Sequence, residues 1–496
     1  MAGSFEFNRI TFGLPVETFR VEAYIALDER LPVVTEFVMR LLKVCGQVPL
    51  TAIRDYFGFS DIEARAVVDS LDKQGLLDLQ EDEVRLSAFA LEKFEEAGGD
   101  HPRFSKVELK SDTVTFDLVS FTPLRATPAE MASDNIIKLD TADDALGNSV
   151  ERARAAYRRR YPEIASLRAD LRERSYGVYS VESVESKRRN YVPVPVSFEL
   201  DQDGHVERRI DEVFERLAPP ELLHFVSEQV TAAIPRTLSV PVTGLDAFIE
   251  AFDLRLLNQY LIGKRFDLPR YLAEVQVSRT VRYGDGAEPM FGNLYLQENR
   301  ERILARLADR RHGKRRHGAL LTSLAWLVPD YALWGRGEAF AQSVNALSSA
   351  LQTGGSGDDL YMFANAEQGA EFDVTNSLRV PHLQELHFVR PQPVEGRLMA
   401  GRLEILLYPT AFMVAMFHLP VPGNEGLWAP IGFISSQSDH LDTAHKLLRQ
   451  AASGARYGRR ARFNHKTQAP SPTGLDDACA FLNYCSLKSS HLGIPD

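Results

Sequence analysis

Residues 403–435 read LEILLYPTAFMVAMFHLPVPGNEGLWAPIGFIS. The apolar run from Ile405 to Phe417 is too short to span a membrane as a helix, which needs about 20 apolar residues, and Pro409 interrupts it. Two strands, Leu403–Tyr408 and Ala411–His418, account for it better. A third strand is expected over Trp428–Ile434, followed by a helix from about Asp439 to Ala452. Upstream, Leu386–Val389 and Leu360–Ala364 read as strands and Ala339–Leu351 as a helix, while Ala319–Val328 suits a buried strand or a helix. Strands alternating with helices predict an α/β layer architecture. Gly354-Gly355-Ser356-Gly357 reads as a loop, because no GK[ST] follows it as a phosphate-binding P-loop requires.

Bulk properties set the outer limits. A chain of 496 residues predicts about three domains at roughly 150 residues each. The expected spans are 1–100, 101–240 and 241–496, in an α+β or α/β multidomain protein. A hydrophobic content of 44% supports packed cores, and a formal charge of -11 argues against a generally basic nucleic-acid coat. Local basic patches therefore matter more than the total. Cys45, Cys479 and Cys485 show neither a disulfide framework nor metal-ligand spacing, which points to a reducing, cytoplasmic setting. The opening MAGSFEFNRITFG has no basic stretch followed by an apolar run, so no secretory signal is expected.

Pro32–Val44 has helical apolar spacing, and Leu50–Phe57 reads as a second helix stopped by Gly58. Ser60 with Glu63 three residues on is a capping box for a third helix, running to about Lys73 and ending at Gly75. Two short alternating strands around an acidic turn follow in LLDLQEDEVRLS, and Ser87 caps another helix. Over residues 30–97 this order resembles the winged helix-turn-helix family, whose third helix usually enters the DNA major groove. Here that helix carries Asp61, Glu63, Asp69 and Asp72 against Arg65 and Lys73, and the turn carries Glu81, Asp82 and Glu83. DNA affinity rests on phosphate neutralisation by Lys and Arg. Both a protein-contacting and a DNA-contacting role stay open, with charge favouring the first.

The middle is mixed and basic. Val107–Phe121 alternates as strands, and residues 127–148 read as a long loop. A helix then carries Arg152, Arg154, Arg158, Arg159, Arg160, Arg168, Arg172 and Arg174, with Tyr157 and Tyr161 among them. Tyr176–Leu200 reads as strands broken by a basic turn at Lys187-Arg188-Arg189, and residues 206–231 and 244–262 as amphipathic helices. The densest positive run holds Arg300, Arg302, Arg306, Arg310, Arg311, Lys314, Arg315 and Arg316. Arg302, Arg306 and Arg310 share one helix face by their spacing of four. Guanidinium forks match phosphate geometry, so these residues, with Arg158–Arg160 and Lys187–Arg189, are the expected nucleic-acid contacts. A solvated helix face is the alternative.

His418-Leu419-Pro420, four residues to Glu425 and six more to Gly432-Phe433-Ile434-Ser435 resembles the H-x-K-x4-D-x6-G-S motif of the phospholipase D superfamily. The resemblance implies a phosphodiesterase half-domain in which His418 would attack phosphorus, with Glu425 at the aspartate position. The motif lysine is Pro420 and the serine position is Phe433, which implies little or no catalysis. A second half is not visible: His312-Gly313-Lys314 starts one, but Ala319 stands where the aspartate should. Dimerisation could supply it. No HExxH, CxxC pair or GxSxG occurs, and His382 and His387 near Glu385 lack a third ligand, so no metal or cofactor is expected.

The reading that unites these signals is a non-catalytic, nucleic-acid-engaging accessory protein of a bacterial multi-protein system, phage defence or DNA processing among them. It expects a winged-helix N-terminus, a basic middle and a phospholipase-D-like C-terminal domain, with nucleic acid and other proteins as partners and no membrane. The alternatives are a phosphodiesterase or nuclease using His418, and a protein-interaction scaffold.

Overall fold

The computed structural model of the chain describes residues 4–29, 31–80, 82–96, 104–125, 135–141, 147–167, 175–235, 242–263, 265–278, 283, 286–309, 324–352, 360–365, 385–389, 397–409 and 411–453. They form a mixed α and β protein with several sheets. Two compact units are present: residues 1–15, 127–140 and 190–496 form one, and residues 16–126 and 141–189 the other. The chain enters the first unit three times, so neither unit coincides with any of the consecutive spans 1–100, 101–240 and 241–496.

Strand β1 (Phe5–Glu29) leaves the first unit and enters the second at Val16. A group of elements with its own core follows: α1 (Val33–Cys45), β2 (Gln47–Pro49), α2 (Leu50–Phe57), α3 (Asp61–Lys73), β3 (Leu77–Gln80), β4 (Glu83–Leu86) and α4 (Ala88–Glu96). The expected helices and hairpin are all present, and the additional β2 pairs with β4 to give a sheet of order β2-β4-β3. Gly58 takes the left-handed conformation (φ 70) that ends α2. At the start of α3, the Glu63 N–H donates to Ser60 Oγ at 3.3 Å and the Ser60 N–H donates to the Glu63 carboxylate at 2.8 Å. Val38, Met39 and Leu42 of α1 pack with Ile53, Val68, Leu71, Val84 and Phe94.

Strand β5 (Phe104–Asp117) returns antiparallel along β1, from Glu29↔Phe104 to Val16↔Asp117. Phe19, Val21, Ala23 and Ile25 point to one face, where α5 (Ser149–Arg159) and α6 (Tyr161–Ser166) cover them with Ala153, Ala156, Tyr157 and Tyr161. The short strands β6 (Pro123–Leu124) and β7 (Ile137–Lys138) pair with β5 and β1. Strand β8 (Ser175–Leu200) runs unbroken through Lys187-Arg188-Arg189, where the sequence predicts a turn. The triplet is held extended partly because Arg189 and Ser186 both reach the buried Glu17 of β1. A tight turn, in which the Asp201 carboxylate accepts the Asp203 and His205 N–H groups, folds β9 (Val206–Ile210) back on β8. The helix expected from residue 206 therefore begins only after β9, as α7 (Glu212–Leu217) and α8 (Pro220–Ala233), separated at Pro219.

The rest of the first unit begins with α9 (Leu245–Ala251), a 3-10 turn at Arg255–Tyr260, the pair β10 (Leu261–Ile262) and β11 (Arg265–Phe266), and α10 (Leu268–Ser278). Next come β12 (Ala287–Phe291), α11 (Gln297–Asp309), β13 (Leu324–Leu327), α12 (Glu338–Gln352), β14 (Leu360–Asn365) and β15 (Glu385–Val389). Residues 403–435 supply β16 (Leu403–Tyr408), β17 (Phe412–Val421) and β18 (Asn424–Ser435), before α13 (Ser438–Ser453). These seven strands form one sheet of order β12-β18-β17-β16-β13-β14-β15, antiparallel except for β13-β14-β15. Ile303 and Leu307 of α11 and Phe340, Val344 and Leu347 of α12 pack on one face. On the other face, Phe248 of α9 meets Phe417 at 5.6 Å. Cover on both faces explains why LEILLY is buried at every position rather than alternately. The first residues of β1 are fixed in the same unit: the Thr11 N–H donates to the Arg336 carbonyl at 3.1 Å and the Tyr295 hydroxyl to Asn8 at 2.7 Å. Among the described residues no helix is long and apolar enough to cross a membrane.

The capping box makes α3 the part of the 31–96 group most open to a surface test. Ser60→Ala should lower the stability of that group by about 1 kcal/mol, read as faster hydrogen exchange in α3. Unchanged exchange would show that helix packing alone holds the turn.

Candidate functional site

The sequence directs attention to His418, and the sheet fixes its surroundings. Opposed residues of antiparallel strands share a face, so Arg402, Glu404, Met416 and His418 line one side of β16 and β17. The His418 N–H donates to the Arg402 carbonyl at 2.9 Å, and the Arg402 guanidinium donates back to the His418 carbonyl at 3.1 Å. Glu404 lies 2.7 Å from His418 Nε2, and its other oxygen accepts the Trp326 indole N–H at 2.9 Å. His418, Glu404 and Trp326 all have 0% exposure. The second ring nitrogen, Nδ1, meets no hydrogen-bond partner among the described residues.

Around this pair the chain is tightly constrained. Met399, Ala400 and Gly401 take left-handed conformations in succession (φ 48, 57 and 76). Such a backbone costs about 1–3 kcal/mol at a non-glycine residue. A Cβ on Gly401 would come within 2.9 Å of the Asp330 Cβ, so the turn closes only with glycine there. Asp330 fixes the turn by donating its N–H to the Gly401 carbonyl at 2.8 Å and by an ion pair with Arg397. The turn delivers Arg402 inward, where burial pulls its guanidinium below the ordinary value. That guanidinium sits 4.6 Å from the Trp428 ring, and Trp428 stacks on Tyr331 at 4.5 Å with 11° between the planes. Both rings are half-buried.

The remaining motif positions have structural duties. Glu425 lies in β18, and its side chain is outside the described set. A Cβ on Gly432 would strike the Ala415 carbonyl at 1.9 Å, so this glycine permits close approach of β17 and β18. Phe433 stacks on Tyr283 at 5.1 Å. Ser435 has no exposed surface; its Oγ accepts the Gln437 N–H at 3.1 Å and lies 2.9 Å from Nδ1 of His440.

The expected nucleic-acid contacts divide into several groups. Arg302 and Arg306 converge on one carboxylate: Arg302 lies 3.2 Å from Glu288, and Arg306 also pairs with it at 2.5 Å. Arg302 further donates to the Pro289 carbonyl at 2.9 Å, and Arg300 reaches Gln342 at 3.4 Å. Arg160 pairs with Glu163 at 3.1 Å, Lys187 with Glu185 at 2.7 Å and Arg189 with Glu17 at 3.1 Å. Arg188 is exposed and also engaged. Arg158 and Arg159 at the end of α5 are different, since neither has an ion-pair partner among the described residues. Arg310, Arg311, Lys314, Arg315 and Arg316 lie outside the described residues, as do Arg168, Arg172, Arg174 and the Gly354–Gly357 loop.

Motif spacing did not reveal Arg402, Glu404, Trp326 and Trp428. One signal was available: Glu404 is a lone carboxylate inside an otherwise apolar strand, with Arg402 two residues before it. No known protein family matches the chain, and no curated protein is detectably similar to it.

Breaking a buried pair by removing one partner costs about 3–5 kcal/mol, whereas neutralising both can cost far less. His418→Leu should therefore destabilise the protein by several kcal/mol in denaturant unfolding. His418→Leu with Glu404→Gln should recover most of that loss, because glutamine still accepts from Trp326. Equal stability of the single and double variants would show that Glu404 does not depend on His418.

Burial depresses the His440 pKa below 6.5, outweighing the opposing pull of Asp439 and the Phe252 backbone. A histidine with a depressed folded value stabilises the fold above its unfolded pKa and loses that contribution as pH falls through the folded one. Stability should accordingly decline below about pH 6.5, and His440→Asn should flatten the decline. An unchanged pH profile in the variant would assign the acid sensitivity to other groups.

Proposed function

We propose that this protein is a non-catalytic accessory component of a bacterial multi-protein system, in which residues 31–96 form a winged helix that docks a protein and the free arginines of α5 engage nucleic acid. The observation that carries this reading is the sorting of exposed side chains. Val33, Phe37 and Val44 follow one stripe of α1, opposite its core face, and are 69%, 50% and 85% exposed. Ile62 at the start of α3 is 82% exposed, on a helix that carries four carboxylates and two cations. The apolar stripe of α1 suits an apolar patch on a protein partner, and the net negative charge of α3 opposes docking against phosphates.

In the same reading, the seven-stranded domain is a phospholipase-D-like scaffold without a working nucleophile. A ring that attacks phosphorus must reach the substrate, with positive groups aimed at the developing charge. His418 is instead sealed against Glu404, and the motif lysine is Pro420. The rival nuclease reading would need both to change.

The test is a salt titration of fluorescence anisotropy with labelled duplex and single-stranded oligonucleotides. Each phosphate contact contributes about 0.9 to the slope on duplex DNA. Arg158→Ala with Arg159→Ala should lower the slope by up to about 2. Arg302→Ala with Arg306→Ala should have a smaller effect, because Glu288 already neutralises part of that pair. No binding at low salt, or an unchanged slope in the α5 variant, would remove nucleic acid from the proposal. Metal-independent phosphodiester cleavage lost in a folded His418→Ala protein would replace the proposal with the nuclease reading.

A further inference from the structure

A cleft of about 290 Å³ opens on the face of the seven-stranded sheet that α9 and α13 cover. Ligand sites typically span about 300–1,000 Å³, so its size suits a small molecule of one or two rings. Phe252, Leu254, Leu257 and Tyr283 build its walls and are each at most 5% exposed. The aromatic walls are firmly held. Tyr283 stacks on Phe433 with 14° between the planes, and Phe252 meets the same ring edge-on at 5.5 Å. The Tyr283 hydroxyl is bound to that of Tyr271. His440 is held the same way: its ring lies 4.9 Å from Phe433 and its Nδ1 is occupied by Ser435.

The polar groups of the cleft favour one sign of charge. Asp253, Asp439, Gln437 and Thr443 stand around the apolar floor, and no lysine or arginine is among the described lining residues. The Asp253 backbone is left-handed (φ 50) just after α9 ends, which is a conformation aspartate tolerates. Its ion pair with Arg255 at 2.9 Å is almost fully in solvent, at 78% and 85% exposure, and such pairs open at little cost. Among the described residues, Asp439 accepts a hydrogen bond only from the Ser438 hydroxyl, at 3.3 Å. A cation placed among these rings also gains from their negative faces.

We infer that this cleft is a binding site for a small organic cation, an amine carried on an aromatic body, and that phosphate-bearing and carboxylate ligands are excluded from it. The ring sits among Phe252, Tyr283 and the leucines, and the ammonium is held by Asp439 with Asp253 in reserve. This inference is independent of the docking and nucleic-acid roles, because none of those residues lines the cleft.

Isothermal titration of the full chain with tryptamine, indole and indole-3-acetate near neutral pH tests it. Tryptamine should bind saturably at one site, and indole-3-acetate about tenfold more weakly or not at all. Asp439→Asn, a surface change, should weaken tryptamine severalfold and leave indole unchanged. Thr443→Phe should fill the cleft and abolish all binding while the melting temperature is kept. Three results would overturn the inference: no saturable tryptamine binding at millimolar concentration, equal affinity for the anionic analogue, or tryptamine binding indifferent to both variants.

Discussion

A carboxylate with no exposed surface must be answered by donors, and much of the seven-stranded domain is arranged to answer Glu404. Trp326 reaches it from β13 and His418 from β17, so three neighbouring strands must keep their register for the carboxyl group to keep its partners. A slip of one residue would turn Glu404 and His418 to opposite faces. Each would then lose the partner that makes its burial affordable. The left-handed turn at Met399–Gly401 belongs to the same constraint, because it sets where β16 begins and carries Arg402 inside, against Trp428.

Several of the basic residues that the sequence offers to a ligand are already paired within the protein. Spacing along a helix correctly puts Arg302 and Arg306 on one face, but it cannot show that Glu288 arrives there from β12. Arg189 likewise answers Glu17, a buried carboxylate far away in sequence. A count of arginines in a window overstates what a ligand meets, since each carboxylate delivered by another strand removes one of them. Arg158 and Arg159 escape this: both are exposed at the end of α5, and neither has an ion-pair partner among the described residues.

What was legible in the sequence follows the range of the forces involved. Residues 31–96 are local: a capping box, a glycine stop and a hairpin each declare themselves within a few positions, and the elements were placed to within a residue or two. Strands β16 to β18 were legible from continuous burial and the break at Pro409, although β17 and β18 extend further than expected. β1 was missed and β8 was divided, because a long strand owes its length to partners distant in sequence. The candidate site was half legible. The motif led to His418, but burial in mid-strand is a property of the sheet, and no spacing rule contains it.

The pairing of Glu29 with Phe104 has a consequence for how such a chain can be assembled. The described elements between those residues hang from the end of a single ladder and pack around their own apolar centre. A two-residue turn would serve the ladder equally well, and not one rung from Val16 to Glu29 would need to move. The segment is thus a cassette in the physical sense: its apolar centre is separate from the one that β1, β5 and their covering helices share, so the ladder does not rely on it for packing.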